Sequence, residues 1–384
     1  MLKNIFIENR NNMKKYDAIV VGAGIAGCSS AYFLKEKGLK VLVIDRSGVA
    51  ASGGSAAAGA FVSPKIGKGS KLQKLTNEAF EFSKDFYLQH FPQYFAQTGV
   101  IRIPKDEEDA KKFEEYEAYN EAKRKLLALD ELDTLGIDNS YQSFLFSEAG
   151  VCDAPKMCEA ILENIEYEQY ELKSLAYEDG CWFIGDYCAE NLILATGYEN
   201  KYFDMRYMGV KGTWGSRGDY ETNLELNISM HKQISVSANI DGIVKLGATH
   251  EKDVDVCIKC NGEPLEKLFE VASTMVDTSD FKLKETFCGM RSGSKDYFPL
   301  VGEVIDTQYM LETYPKILRG AKPELQKISN LYICNGLGGR GFVFGPMMGK
   351  MLADKIADNK EVDVRVNPDR LFLKWCRKSP DLER

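Results

Sequence analysis

"YDAIVVGAGIAGCSSAYFLKEKGLKVLVIDR", residues 16–46, reads strand, glycine turn, helix, strand. Residues 18–21, "AIVV", form a short apolar, β-branched run that suits a strand buried on both faces. Gly22, Gly24 and Gly27 then fill the three glycine places of G-x-G-x-x-G. In that pattern the first glycine permits a tight turn, the second lets a pyrophosphate approach the backbone, and the third lets the helix pack closely on the sheet. Ile25 and Ala26 open the helix, whose free N–H groups and positive dipole end suit phosphates. Asp45 closes the second strand about 20 residues on, where a carboxylate binds ribose hydroxyls. The run predicts a dinucleotide-binding Rossmann unit, and its acid fits an adenosine ribose without a 2′-phosphate.

Around this unit the chain of 384 residues has an ordinary globular composition and the length of two or three domain-sized units. No apolar run reaches the roughly 20 residues needed to span a bilayer. The opening "MLKNIFIENRNNMKK" is too short in apolar residues for a secretory leader, and Met13 is a candidate start. Ten scattered cysteines without an export signal point to a reducing cytoplasm. A net charge of −8 argues against nucleic-acid binding by the whole surface, but leaves room for a local basic patch.

Three later segments extend the cofactor site. "RSGVAASGGSAAAGAFVSP" (46–64) is a run of small residues that can bring backbone amides near a long cofactor, with Arg46, Ser52 and Gly53 as candidate contacts. "AENLILATGYEN" (189–200) is a buried strand that ends at Thr196 and Gly197. "NLYICNGLGGRGFVFGPMMGKMLADKI" (330–356) is another strand, glycine turn and helix. Its turn offers Gly336, Gly338, Gly339, Arg340, Gly341 and Phe342. No strand with a terminal acid follows, so its expected use is a helix N-terminus facing another part of the same cofactor.

Together with "GMRSGSKDYFPLVG" (289–302), these segments resemble the D-amino-acid oxidase/glycine oxidase family of FAD enzymes, in the family's order and from Tyr16 onward. The resemblance implies FAD as cofactor and no metal. The implied fold is α/β, a Rossmann-type FAD-binding domain interleaved with a mixed β-sheet substrate domain. The expected FAD-binding parts are 13–90, 146–205 and 291–384, the last with a basic tail; 91–145 and 206–290 form the substrate domain. Alternating and β-branched residues over 209–253 fit its sheet. The charged run 106–132 is expected as a solvated surface helix.

In this family an arginine holds the substrate carboxylate while the flavin oxidises the carbon beside the amine. Gly289, Arg291, Asp296, Pro299 and Gly302 match the pattern G-x-R-x-x-x-x-D-x-x-P-x-x-G. The resemblance assigns Arg291 to that role; the alternative is a structural ion pair with Asp296. Arg340 is the second catalytic candidate, with a bond to a backbone carbonyl as its alternative. His90, His231 and His250 show no triad or metal spacing and are expected as surface or capping residues. Cys257 and Cys260 form a lone C-x-x-C, too few ligands for tetrahedral zinc.

A narrower resemblance concerns the substrate. Gly59, Ala60, Pro64, Ala79, Phe80, Phe82, Phe86 and Tyr87 occupy the places of "GA-x-x-x-P" and "AF-x-F-x-x-x-FY" in the C-terminal oxidase domains of the MnmC family. Asn367, Pro368, Arg370 and Leu371 match that domain's tail. The asparagine usual in its small-residue loop is absent, with Ala56, Ala57 and Ala58 there instead. This resemblance implies oxidative removal of the carboxymethyl group from 5-carboxymethylaminomethyl(-2-thio)uridine at the tRNA wobble position, giving the aminomethyl form and glyoxylate. It implies tRNA as partner and a separate methyltransferase for the product. Lys65, Lys68, Lys71, Lys74 and the "KWCRK" end (374–378) are candidate tRNA contacts, or ordinary solvated charges. The alternatives are oxidation of glycine, sarcosine or a D-amino acid, and a flavin-binding protein with weak turnover.

Overall fold

Runs of branched apolar residues, fully buried, set the centre of the molecule. The computed structural model describes residues 13–50, 53–199, 201–252, 262–379 and 382. The strand Lys14–Val21 runs parallel to Val41–Asp45 on one side and to Tyr187–Leu194 on the other. Glu166–Gln169 extends the sheet beyond Val41–Asp45, and Lys327–Asn335 lies parallel to the end of Tyr187–Leu194. Leu300–Ile305 and the hairpin of Ala176–Glu178 with Cys181–Ile184 complete its eight strands in antiparallel pairings.

One face of this sheet is covered by the helices Ile25–Glu36 and Gly341–Asp358, which touch through small residues. A Cβ on Gly345 would stand 2.8 Å from the Ile25 side chain, and one on Gly349 would stand 2.6 Å from the Ser29 backbone. The helix Lys71–His90, capped by Ser70 Oγ, packs beside them. Pro346 has no N–H for the Phe342 carbonyl one turn back. The Tyr87 hydroxyl donates to that carbonyl instead (2.9 Å), which gives this aromatic of the second helix a definite task. The other face carries the tail helix Asp369–Lys378, with Leu371, Phe372 and Trp375 in its core.

The second sheet has nine strands. Lys282–Gly293 lies against Lys211–Glu221, and Ile243–Gly247, Ser235–Val236, Ser229–His231, Val100–Arg102, Ser143–Phe146 and Lys125–Leu127 follow in that order. Arg291 belongs to the first of these strands. The helix Glu263–Ala272 closes this sheet's own core.

The single helix expected over 106–132 is not formed. Residues Glu107–Glu117 are helical, Lys125–Leu127 is a strand, and Leu129–Thr134 is a short second helix. Arg124 ends the first helix by donating to the Glu117 and Asn120 carbonyls, and the next residues pair with Ser143–Phe146. The i,i+4 pairs Glu107–Lys111 and Glu108–Lys112 support only the first turns.

Candidate active site

Both sheets contribute to one cavity of about 550 Å³. At its first end stand Gly22, Gly24, Ile25 and Ala26, with Asp45 and Arg46 from the end of the second strand. Gly22 sits at φ +112° against the Ala195 carbonyl, and a Cβ on Gly27 would overlap the Gly22 carbonyl oxygen. Gly27 therefore lies outside the cavity lining and sets the helix onto the sheet. Gly24 differs: a Cβ there would meet only Ser55 Oγ, at 3.1 Å, and that hydroxyl accepts the Ile25 N–H (3.0 Å). The Asp45 carboxylate accepts from the N–H groups of Ala23 (2.9 Å) and Ser47 (2.8 Å). Four lone-pair sites leave it capacity for a ribose hydroxyl. Arg46 pairs with Glu199 (2.6 Å) at the same rim.

Small residues allow two backbones to meet on the next wall. Cβ atoms on Gly54 and Gly289 would crowd the Met290 carbonyl oxygen and the Gly53 backbone respectively. Arg217 supports the same loop from the second sheet: it is buried, paired with Asp219 (2.8 Å), and donates to the carbonyls of Ala56 and Ala58. Asn335 joins three of the segments singled out above. Its amide donates to the Gly197 carbonyl (2.6 Å), and its Oδ1 accepts from the Ser292 hydroxyl (2.8 Å) and the Gly336 N–H (2.7 Å). Gly336 itself turns the chain at φ +70° behind the lining. Thr196, Gly197, Gly338, Gly339, Arg340, Gly341 and Phe342 all line the cavity, as does Gly53. Ser52, Cys257 and Cys260 lie outside the described residues.

Arg291 faces the cavity at the other end. One terminal nitrogen donates to the Thr249 carbonyl (2.9 Å), while Nη1 is buried with no partner. Gly215 on the neighbouring strand makes room for the guanidinium. Asp296 is taken by Arg370 of the tail helix in a two-pronged contact of 2.9 Å on each oxygen. Arg370 also donates to the carbonyls of Phe298 and Pro299. Burial without a counter-charge lowers the Arg291 pKa to about 10. Arg340 donates to the Ser63 carbonyl (3.0 Å), and burial holds it at about 10 as well. Arg340 thus makes the carbonyl bond of its alternative reading, and it also lines the cavity.

His231 lines the cavity, which corrects its expected surface place; His250 lines it too but is exposed, as expected. Burial and neighbouring cations lower the pKa of each. Lys65 lines the cavity too, so it leaves the surface lysine row. Sequence reading missed Ser55, Arg102 and Asn335. Only Ser55 carried a signal, as a hydroxyl inside a small-residue run beside the glycine turn.

The sequence matches the family described as FAD dependent oxidoreductase (DAO) over residues 17–355. The chain belongs to this family. FAD is accordingly its cofactor, and the chain is a FAD-dependent oxidoreductase. The lining fits that group: a helix start backed by Gly22 and Gly24, a carboxylate at the strand end and a second glycine turn all open on one cavity. Among curated proteins it is 23% identical to the tRNA 5-methylaminomethyl-2-thiouridine biosynthesis bifunctional protein MnmC of Legionella pneumophila, covering 94% of this chain and 58% of that protein. The namesake from Shewanella amazonensis is 26% identical, with 96% and 62% covered. The chain thus spans about three fifths of the length of these relatives. Among solved structures, glycine oxidase from Bacillus cereus superposes with a TM-score of 0.74 at 19% identity, covering 90% of this chain and 96% of that one. Iminodiacetate oxidase from Chelativorans gives 0.73 at 17%, again covering 90% and 96%. Both share this chain's DAO-like fold. Among the described residues no helix is long and apolar enough to cross a membrane, and no group of three metal-ligating side chains is close enough to hold a metal.

Proposed function

We propose that this oxidoreductase acts on the C–N bond of an N-substituted glycine, the carboxymethylaminomethyl side chain of the wobble uridine in tRNA. The reading rests on Arg291, whose buried, unpaired nitrogen faces the cavity that also holds the dinucleotide cradle. A guanidinium fork in that state is suited to a carboxylate, which restores the lost hydrogen bonds and charge balance. Asp296 does not compete for it, because Arg370 holds that carboxylate.

In the proposed division of labour, Gly22, Gly24, Ile25, Ala26 and Ser55 hold the pyrophosphate, Asp45 the ribose, and Thr196, Gly197 and residues 338–342 the remaining length of FAD. FAD, when bound, supplies two-electron oxidation. Arg291 binds the carboxylate and fixes the CH₂–N bond in one pose, so the chain's part is positioning and exclusion of water. The substrate loses two electrons and two protons between carbon and nitrogen. Water then adds to the resulting C=N bond, which breaks to release glyoxylate and the aminomethyl uridine. A methyltransferase acting on that amine is the expected partner, and the compartment is the cytoplasm.

tRNA as substrate is supported by the likeness to MnmC proteins of tRNA 5-methylaminomethyl-2-thiouridine biosynthesis, and by Lys71, Lys74, Lys374 and Lys378, which are solvent-exposed. The test is anaerobic bleaching of the bound flavin. tRNA carrying 5-carboxymethylaminomethyluridine should bleach it and yield glyoxylate, whereas glycine, sarcosine and D-alanine should not. Bleaching by the free amino acids alone would overturn the tRNA reading.

A further inference from the structure

Tyr297 has φ +67°, in the left-handed region of the backbone map. The other described non-glycine residues with positive φ are alanines, aspartates and asparagines, so Tyr297 is the one bulky side chain placed there. A large residue in that region is strained, and it persists only where its surroundings over-determine it. Here they do. Arg370 holds Asp296 in its fork, and the Phe298 N–H donates to the same carboxylate (3.3 Å). The Ser294 hydroxyl donates to the Phe298 carbonyl (2.6 Å), and the Lys295 N–H to the Met208 carbonyl (3.3 Å). Phe298 packs on the core. Tyr297, the other ring of the turn, is 75% exposed, and its side chain makes no hydrogen bond or ring contact among the described residues. The strain therefore serves no interaction within the fold.

The ring also stands at a particular place. Among the described residues, only two exposed large apolar side chains line the cavity, Tyr198 and Tyr297. Tyr198 adjoins Glu199, which pairs with Arg46 at the ribose end. Tyr297 belongs to the side of Arg291, since its turn directly follows the strand Lys282–Gly293. Gly293 bridges to Leu337, and a Cβ on Gly336 would meet Ser294 Cβ at 3.4 Å, so the turn leans on the second glycine turn. Lys295 of the same turn is exposed and has no carboxylate partner among the described residues. A fixed aromatic face beside such a cation, at the edge of a cavity, suits an unstacked nucleobase and its phosphate.

We propose that Tyr297 is a stacking platform for a nucleobase of the tRNA anticodon loop, held rigid at the edge of the cavity by the clamped turn. The occupant rests on the tRNA reading above. Every base has a π-face, so the platform aligns the RNA and leaves selection of the modified side chain to Arg291.

The test uses the FAD-loaded protein and a fluorescently labelled RNA anticodon stem-loop with an unmodified wobble uridine, titrated by anisotropy. Tyr297→Asn removes the ring and accepts the left-handed backbone, so it should melt at or above the parent. It should weaken RNA binding roughly 5- to 150-fold, the range expected for one lost base–aromatic stack, at the parent's flavin content. The salt dependence of Kd should keep its slope, because no charge is removed. Tyr297→Phe should bind RNA like the parent, and Tyr297→Gly replaces the asparagine variant if that fails to fold. Equal RNA affinity in parent and Tyr297→Asn overturns the platform and leaves the tRNA reading standing. Loss of flavin in the variant also overturns it, by assigning the ring to the cofactor. If the parent binds no stem-loop while sarcosine bleaches its flavin, the tRNA reading and the platform fall together.

Discussion

A guanidinium removed from water with one nitrogen unpaired loses hydration that nothing in the protein returns. Arg291 is in that position, and replacing it separates binding from folding. Arg291→Met should lower kcat/KM for a glycine-type substrate by about 10- to 100-fold, the equivalent of one lost charge-assisted contact of ~1.5–3 kcal/mol. Its melting temperature without substrate should hold or rise, since an uncompensated charge has gone. An arginine kept for structure would give the opposite pair of results in a melt and a steady-state assay. The sequence offered Asp296 as the competing partner, and nothing local could decide the matter. Arg370, which takes Asp296, comes from a helix near the end of the chain. Arg102 was illegible for the same reason: its meaning comes from the neighbours that long-range pairing gives it.

At the level of elements, the glycine turn was readable because its constraints are local and steric. The three glycines nonetheless divide into two kinds. Gly27→Ala would drive a methyl group into the Gly22 carbonyl, so the first helix must lift from the sheet. Overpacking of that kind costs roughly 1–3 kcal/mol or more, and the variant should melt lower and lose FAD. Gly24→Ala meets a single movable hydroxyl, Ser55 Oγ. It should melt like the parent in the cofactor-free form yet bind FAD more weakly, visible as a lower ratio of 450 to 280 nm absorbance. Full FAD occupancy in Gly24→Ala would remove the pyrophosphate from this turn. The stretch 106–132 was misread because its acids and lysines satisfy helical spacing in the first turns, while the pairing that makes a strand of Lys125–Leu127 lies in a distant segment, Ser143–Phe146.

For the molecule as a whole, the crowded cavity couples stability to pH. Burial, Arg102, Arg340 and His250 hold the His231 pKa well below its ordinary value. In the unfolded chain it titrates near ~6.5. Below that pH the unfolded state takes up a proton that the folded state refuses, so stability falls as pH falls, with a limiting slope of about 1.4 kcal/mol per pH unit. His231→Gln should flatten part of the drop in melting temperature between pH 7 and 5; an unchanged slope would place the cause elsewhere. Carboxylates such as Asp354, held near 2 by Lys350 and Lys37, contribute to the same fall only at lower pH. The packing of Ile25 and Ser29 against Gly345 and Gly349 has a consequence in time rather than in energy. A ribosome adding ~5–20 residues per second delivers the helix Gly341–Asp358 roughly 15–60 s after the helix Ile25–Glu36. Through that interval the small residues of the first helix wait for a partner that has not yet been made.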